Sequence, residues 1–85
     1  MDRVRIIHLV LDILKPHQPP LPEFAAYIRE FPGVSRVDAS LIEMDERTDS
    51  LKVIIDGDGI DFDGLRAHIA KEGAVVHSVD QVIVE

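Results

Sequence analysis

Two stretches of the chain alternate with a period of two. Val37, Ala39 and Leu41 interleave with Arg36, Asp38 and Ser40, and Leu51, Val53 and Ile55 interleave with Lys52, Ile54 and Asp56. Successive strand residues point to opposite sides of a sheet, so this period predicts strands with one buried face. The polar run Glu46-Arg47-Thr48-Asp49 between them predicts a hairpin turn. Val4 to Leu14 is denser in Ile, Val and Leu and closes on Lys15-Pro16, as expected of a central strand. Leu21, Phe24, Ile28 and Phe31 fall at the three-and-four spacing of a buried helical stripe, with Pro22 suited to its first turn and Pro32-Gly33 as its stop. Phe62, Leu65 and Ile69 predict a second helix, with Asp61 as N-cap and Gly73 as its end. Val75 to Val84 is the last strand.

The order is therefore βαββαβ in one domain, residues 1–85, with no repeat or linker. Two right-handed crossovers fold it into an α+β, ferredoxin-like two-layer sandwich. The expected strand order is 4-1-3-2 in a four-stranded antiparallel sheet, with both helices on one face. Strands one and three are expected to lie parallel at its centre.

Parity then assigns the faces. Ile7, Leu9, Leu11 and Ile13 match the helix stripes, which leaves Ile6, His8, Val10 and Asp12 on the open face with Asp38, Ile42, Lys52, Ile54 and Asp56. Ile6, His8, Val10, Ile42 and Ile54 form a candidate oligomer interface, since an exposed apolar patch on a small domain commonly marks one. The same face is expected to gather acids. A turn pairing Asp45 with Asp49 sets Asp38 opposite Asp56, and a parallel neighbour ending at Asp56 brings in Asp12. Adjacent carboxylates repel, so a divalent cation, calcium or magnesium, is a candidate ligand of Asp12, Asp38 and Asp56, with His17 and Asp58 in reserve. His77 is placed to approach Asp12 as well, beside the alternative of a purely structural histidine.

Composition narrows the partners. The chain has no cysteine, which removes disulfides, thiolate metal sites and thiol nucleophiles and fits a reducing, cytoplasmic setting. A net charge of −7 disfavours binding to nucleic acid. The N-terminal apolar run is too short to span a bilayer and is broken by His8 and Asp12, so neither a signal nor an anchor is expected.

Several motifs fail on inspection. The stretch "DGDGIDFDG", Asp56 to Gly64, resembles a calcium loop, but the EF-hand spacing puts Ile60 at its fifth position, Asp61 at its sixth and Ala67 at its twelfth. A strand end, a glycine turn and a helix cap account for it. The histidines at 8, 17, 68 and 77 have no zinc-enzyme spacing. His77, Ser78 and Asp80 alternate across a strand and cannot form a local triad. The central strands lack the stacking aromatics of RNA-recognition domains. No catalytic constellation emerges, and a non-enzymatic binding module is expected.

Leu11-Asp12-Ile13-Leu14-Lys15-Pro16-His17-Gln18-Pro19, with Gly33-Val34 and His77-Ser78-Val79-Asp80, resembles a small archaeal family of uncharacterised proteins, domain of unknown function two hundred and eleven. The resemblance covers nearly the whole chain. It implies a ferredoxin-like fold and ring-shaped homo-oligomers and brings no catalytic residue. Gln18, where glutamate is common, and Gly64, where a helix-favouring residue is usual, depart from its pattern. The function expected is a homo-oligomeric binding module; the alternative is a regulatory domain that holds a small metabolite where subunits meet.

Overall fold

A computed structural model of the chain describes residues 4–85. The elements run β1 (Ile6–Pro16), α1 (Leu21–Arg29), β2 (Val34–Met44), β3 (Thr48–Gly57), α2 (Phe62–Ala70) and β4 (Val75–Val84). The four strands form one sheet in the order β2-β3-β1-β4. The fold is the expected ferredoxin-like α+β sandwich.

Its core joins one face of the sheet to both helix stripes. Leu9, Leu11 and Ile13 from β1 and Leu51, Val53 and Ile55 from β3 are buried against Phe24 and Ile28 of α1 and Leu65 and Ile69 of α2. Each class of side chain was placed by its period, two on the strands and three to four on the helices. Pro22 lies in the first turn of α1, where a missing N–H costs nothing. Asp61 caps α2 by accepting the Gly64 amide at 3.2 Å. Gly73 ends that segment with φ of 79°, a left-handed conformation that suits glycine. No helix among the described residues is long and apolar enough to cross a membrane.

β1 and β3 are antiparallel, not parallel. The crossover through α1 gives β1 and β2 the same sense. The hairpin then reverses β3, which inserts between them and opposes both. All three pairings in the sheet are antiparallel.

Two local irregularities also shift the faces. A register shift lies between Ile6 and His8 on the β4 side of β1. Ile6 packs against the core as a result, not on the open face. At the far end of β2, a shift between Leu41 and Glu43 accompanies the emergence of Leu41, expected in the core but 47 % exposed. A strand of ten residues spans roughly 33 Å whereas a nine-residue helix spans roughly 14 Å. The sheet therefore outruns its helical cover, in a body 49 × 21 × 18 Å.

Candidate functional site

The open face is read as rows across the sheet. One row sets Arg36, Asp56 and His8 side by side, the next Asp38, Ile54, Val10 and Gln81, and a third Ser40, Lys52, Asp12 and Ser78. Asp56 and Asp12 thus stand four residues apart along the strands, roughly 13 Å. One cation with oxygen ligands at about 2.3–2.6 Å cannot bridge that gap. The expected row of Asp12, Asp38 and Asp56 does not exist, because it required a parallel β1–β3 pair and a different hairpin register. Arg36, not Asp38, lies opposite Asp56. Among the described residues no group of three or more His, Asp or Glu side chains could hold a metal ion.

Each expected ligand has another setting. Asp56 accepts a hydrogen bond from His8 Nδ1 at 2.6 Å and lies 3.5 Å from the Arg36 guanidinium. The His8 hydrogen bond holds its carboxyl below the ordinary range against the upward push of burial, with the His8 and Arg36 charges adding to it. His8 Nε2 lies 3.2 Å from Gln81 Oε1 of β4, so this imidazole bridges three strands. Asp58 is exposed and meets Arg5 Nε at 3.3 Å. Asp38 is half-buried beside Ile54.

Asp12 lines a groove of about 360 Å³ on the open face, together with Ile42, Glu43, Ser50, Lys52 and Asp80. It mixes three carboxylates, one ammonium and the apolar residues Leu11, Ile42 and Leu51. Ser78 Oγ donates to Asp80 at 2.8 Å. His77 is exposed at the register shift between Asp12 and Ile13 and contributes no hydrogen bond there.

His17 belongs to a different cluster, at the end where β1 runs into the proline-rich loop. Lys15 follows Leu9, Leu11 and Ile13 in parity, so its side chain enters the core layer and is fully buried. A buried ammonium is tolerable only when paired and hydrogen-bonded. Lys15 Nζ donates to the carbonyls of Pro16 at 2.8 Å, His17 at 3.3 Å and Pro19 at 2.6 Å, and pairs with Asp49 Oδ2 at 3.1 Å. The loop bends around it through a cis Gln18–Pro19 bond. Asp49 Oδ1 accepts from His17 Nδ1 at 2.8 Å, and His17 Nε2 lies 3.0 Å from the Glu46 carbonyl.

Electrostatics follow from these contacts. Burial pushes the Asp49 carboxyl up, and the hydrogen bonds from His17 and Lys15 outweigh it, leaving a net shift downward. The Glu46 carbonyl, followed by the Asp49 carboxylate, raises the His17 imidazole above its ordinary 6.5. No buried side-chain polar atom among the described residues lacks a partner. The Lys-Pro-His-Gln-Pro run is thus a structural device. Its signal in the sequence was the parity of Lys15, which points the one charged residue of the series inward.

Of the expected interface residues, Val10 and Ile54 sit in register on the open face and are half-buried, His8 is engaged by Asp56, and Ile42 is 64 % exposed. The larger apolar exposure was missed by parity. It runs along β4, where Val75, Val79, Val82, Ile83 and Val84 are all exposed, and a separate exposure lies at the end of β2, on the opposite edge, with Leu41 and Met44. Both are edge strands.

A ferredoxin-like α+β fold, without a group of three or more His, Asp or Glu side chains that could hold a metal among its described residues, defines the class. Within it, residues 7–85 match the family DUF211, described as uncharacterised ArCR. The chain belongs to that family. It is also similar to the uncharacterised protein MJ0319 of Methanocaldococcus jannaschii, 36 % identical over 78 residues that cover 92 % of this chain and 80 % of the relative.

Proposed function

We propose that the protein is a non-enzymatic cytoplasmic binding module that self-associates through the free edges of β2 and β4. The observation that carries this reading is the exposed apolar edge of β4, with Leu41, Ile42 and Met44 also exposed at the end of the opposite edge strand, β2. β4 presents five exposed Val and Ile side chains and one formal charge, Asp80. Natural edge strands are normally blunted by charge, proline or cover, and an unblunted one is a template for pairing.

The strand senses permit a head-to-tail contact. β2 has the sense of β1, and β4 opposes β1, so β2 and β4 oppose each other. A second copy laid with its β2 along β4 continues the antiparallel order β2-β3-β1-β4 without a break. Contacts between unlike surfaces close into rings when the rotation permits. The cation expected at Asp12, Asp38 and Asp56 is no part of this reading, because the rows keep those side chains apart.

Native mass spectrometry and sedimentation at micromolar concentration test it, on the wild type and on Val79→Lys combined with Val82→Lys. The wild type is expected to assemble and the variant to be a folded monomer. A wild type that is monomeric throughout refutes the proposal. The groove beside Asp12, Lys52 and Asp80 favours a second reading, a small metabolite bound on the open face next to Ile42. A melting shift from a metabolite panel, abolished by Lys52→Glu and absent with calcium or magnesium alone, would place that reading first.

A further inference from the structure

The His17 ring faces acceptors on both sides. Nδ1 lies 2.8 Å from Asp49 Oδ1 and Nε2 lies 3.0 Å from the Glu46 carbonyl. Neither acceptor can donate. A neutral imidazole carries one N–H and can satisfy only one of the two, whereas the imidazolium donates to both. The geometry selects the protonated ring, independently of any titration value.

The two acceptors belong to different parts of one hairpin. Asp49 stands near the start of β3, paired with Met44 across the ladder, and its carboxylate is fixed from the other side by buried Lys15. Glu46 stands in the turn itself. That turn is closed by the Asp45 amide on the Thr48 carbonyl at 2.9 Å, and by the Asp45 carboxylate, which accepts from the Arg47 and Thr48 amides and the Thr48 hydroxyl. His17 itself sits in the loop after β1. It is therefore the tie between the proline-rich loop and the hairpin tip.

We propose that His17 is a proton-operated latch on the β2–β3 turn, which holds the exposed apolar end of β2 in register when protonated and frees the turn when neutral. The charged groups facing the ring are the Asp49 carboxylate from β3, with Lys15 of β1 on its far oxygen, and the Asp45 carboxylate from the turn. On deprotonation, the remaining N–H stays with the carboxylate, since a charge-assisted hydrogen bond is the stronger. The Nε2 lone pair then faces the Glu46 carbonyl oxygen, and that contact is lost. What is released is the turn next to Met44, itself 62 % exposed, and two residues from Ile42.

The coupling to assembly rests on the edge-pairing reading above; the latch does not. If the end of β2 is part of the contact between copies, a neutral His17 loosens it, and self-association weakens as pH rises through the His17 midpoint.

Nitrogen-15 spectra of the full chain, recorded across a pH titration, read the ring directly. Expected are both His17 nitrogens protonated at the acid end, a midpoint above 6.5, and loss of the proton from Nε2 alone. Hydrogen exchange of the Asp45 amide, normalised to its intrinsic rate, should rise about fivefold across that titration, as for the loss of one hydrogen bond, and should not respond in His17→Ala. A midpoint at or below the ordinary value, or an identical exchange profile in His17→Ala, overturns the latch. Sedimentation at the two ends of the titration separates the claims. Assembly that is weaker at the basic end in the wild type but insensitive in His17→Ala supports the coupling, and assembly equal at both ends overturns it. A monomer at both ends overturns the edge-pairing proposal while the spectra still decide the latch.

Discussion

Tyr27 and His68 bind each other twice. The Tyr27 hydroxyl donates to the His68 carbonyl at 2.7 Å, and His68 Nε2 donates to the Tyr27 carbonyl at 2.8 Å. Their rings stack with centroids 3.9 Å apart and planes 1° from parallel. Each residue lies in the last turn of its helix, and each carbonyl also accepts the amide that caps that helix, Glu30 on Tyr27 and Lys71 on His68, both at 3.2 Å. The cross-helix bonds add a second donor to each of these carbonyls.

Tyr27→Phe keeps the stack and deletes one of the two bonds. A loss of about 1 kcal/mol is expected, read as a lower urea midpoint with an unchanged slope. His68→Leu deletes the other bond and the stack together and should cost more. Equal stability of Tyr27→Phe and wild type would show that water replaces the hydroxyl contact without penalty.

Lys15→Met tests the buried ammonium. Methionine matches the stem in length but leaves Asp49 and three loop carbonyls without their common donor. Removing one partner of a buried pair costs roughly 3–5 kcal/mol, although Asp49 keeps the hydrogen bond from His17. The double variant Lys15→Met with Asp49→Leu should recover much of that loss in thermal unfolding. Failure to recover would assign the cost to the carbonyls of the proline-rich loop.

Stability against pH has two limbs. The folded His17 is raised above its ordinary 6.5, so its contribution is complete below that value and is lost as pH climbs through the raised one. Asp45, Asp49 and Asp56 are lowered below their ordinary 3.8, so their contributions are present above that value and vanish as pH falls through the lowered ones. Asp45 owes its shift first to the Thr48 amide, then to the Arg47 amide and the Thr48 hydroxyl. Melting temperatures should form a plateau between the two ordinary values. The basic limb should flatten in His17→Ala while the acid limb persists.

Gly57→Ala probes the stretch that resembles a calcium loop. A β-carbon there would overlap the Gly33 carbonyl oxygen, which accepts the Asp58 amide at 2.9 Å. Overpacking against backbone costs typically 1–3 kcal/mol, and a loss of about 2 kcal/mol is expected in denaturant unfolding. Gly59→Ala meets no neighbouring atom but forces a φ of 69°, so its penalty is one of conformation alone. Ile60, buried among these acids and glycines, explains the sequence best: the loop closes in order to seat it.

The fold was legible because periodicity survives almost everywhere that it matters. Phe24, Ile28, Leu65 and Ile69 are buried as their spacing predicts, and Asp61 caps as its position predicts. The candidate site was not legible, for two physical reasons. Strand sense is a property of the whole path, and one wrong sense for β3 moved Asp56 the length of four residues away from Asp12. Hairpin register depends on where the shift near Leu41 and Glu43 falls, which the alternation of Ser40 and Leu41 does not reveal. Ile6 was misplaced by the same kind of event, a register shift between it and His8. The Tyr27–His68 pair and the Lys15 cage needed three-dimensional neighbours from distant segments.

The Lys15 cage changes what its motif can be used for. Three main-chain carbonyls converge on that ammonium because two prolines and a histidine bend the loop around it. A chain with lysine, proline, histidine and proline at this spacing after an apolar strand announces how its first crossover is closed, and nothing about what it binds. Sorting such chains by that signature groups them by architecture. Under the edge-pairing proposal, what would sort them by role lies outside the motif, along the exposed edge of β4.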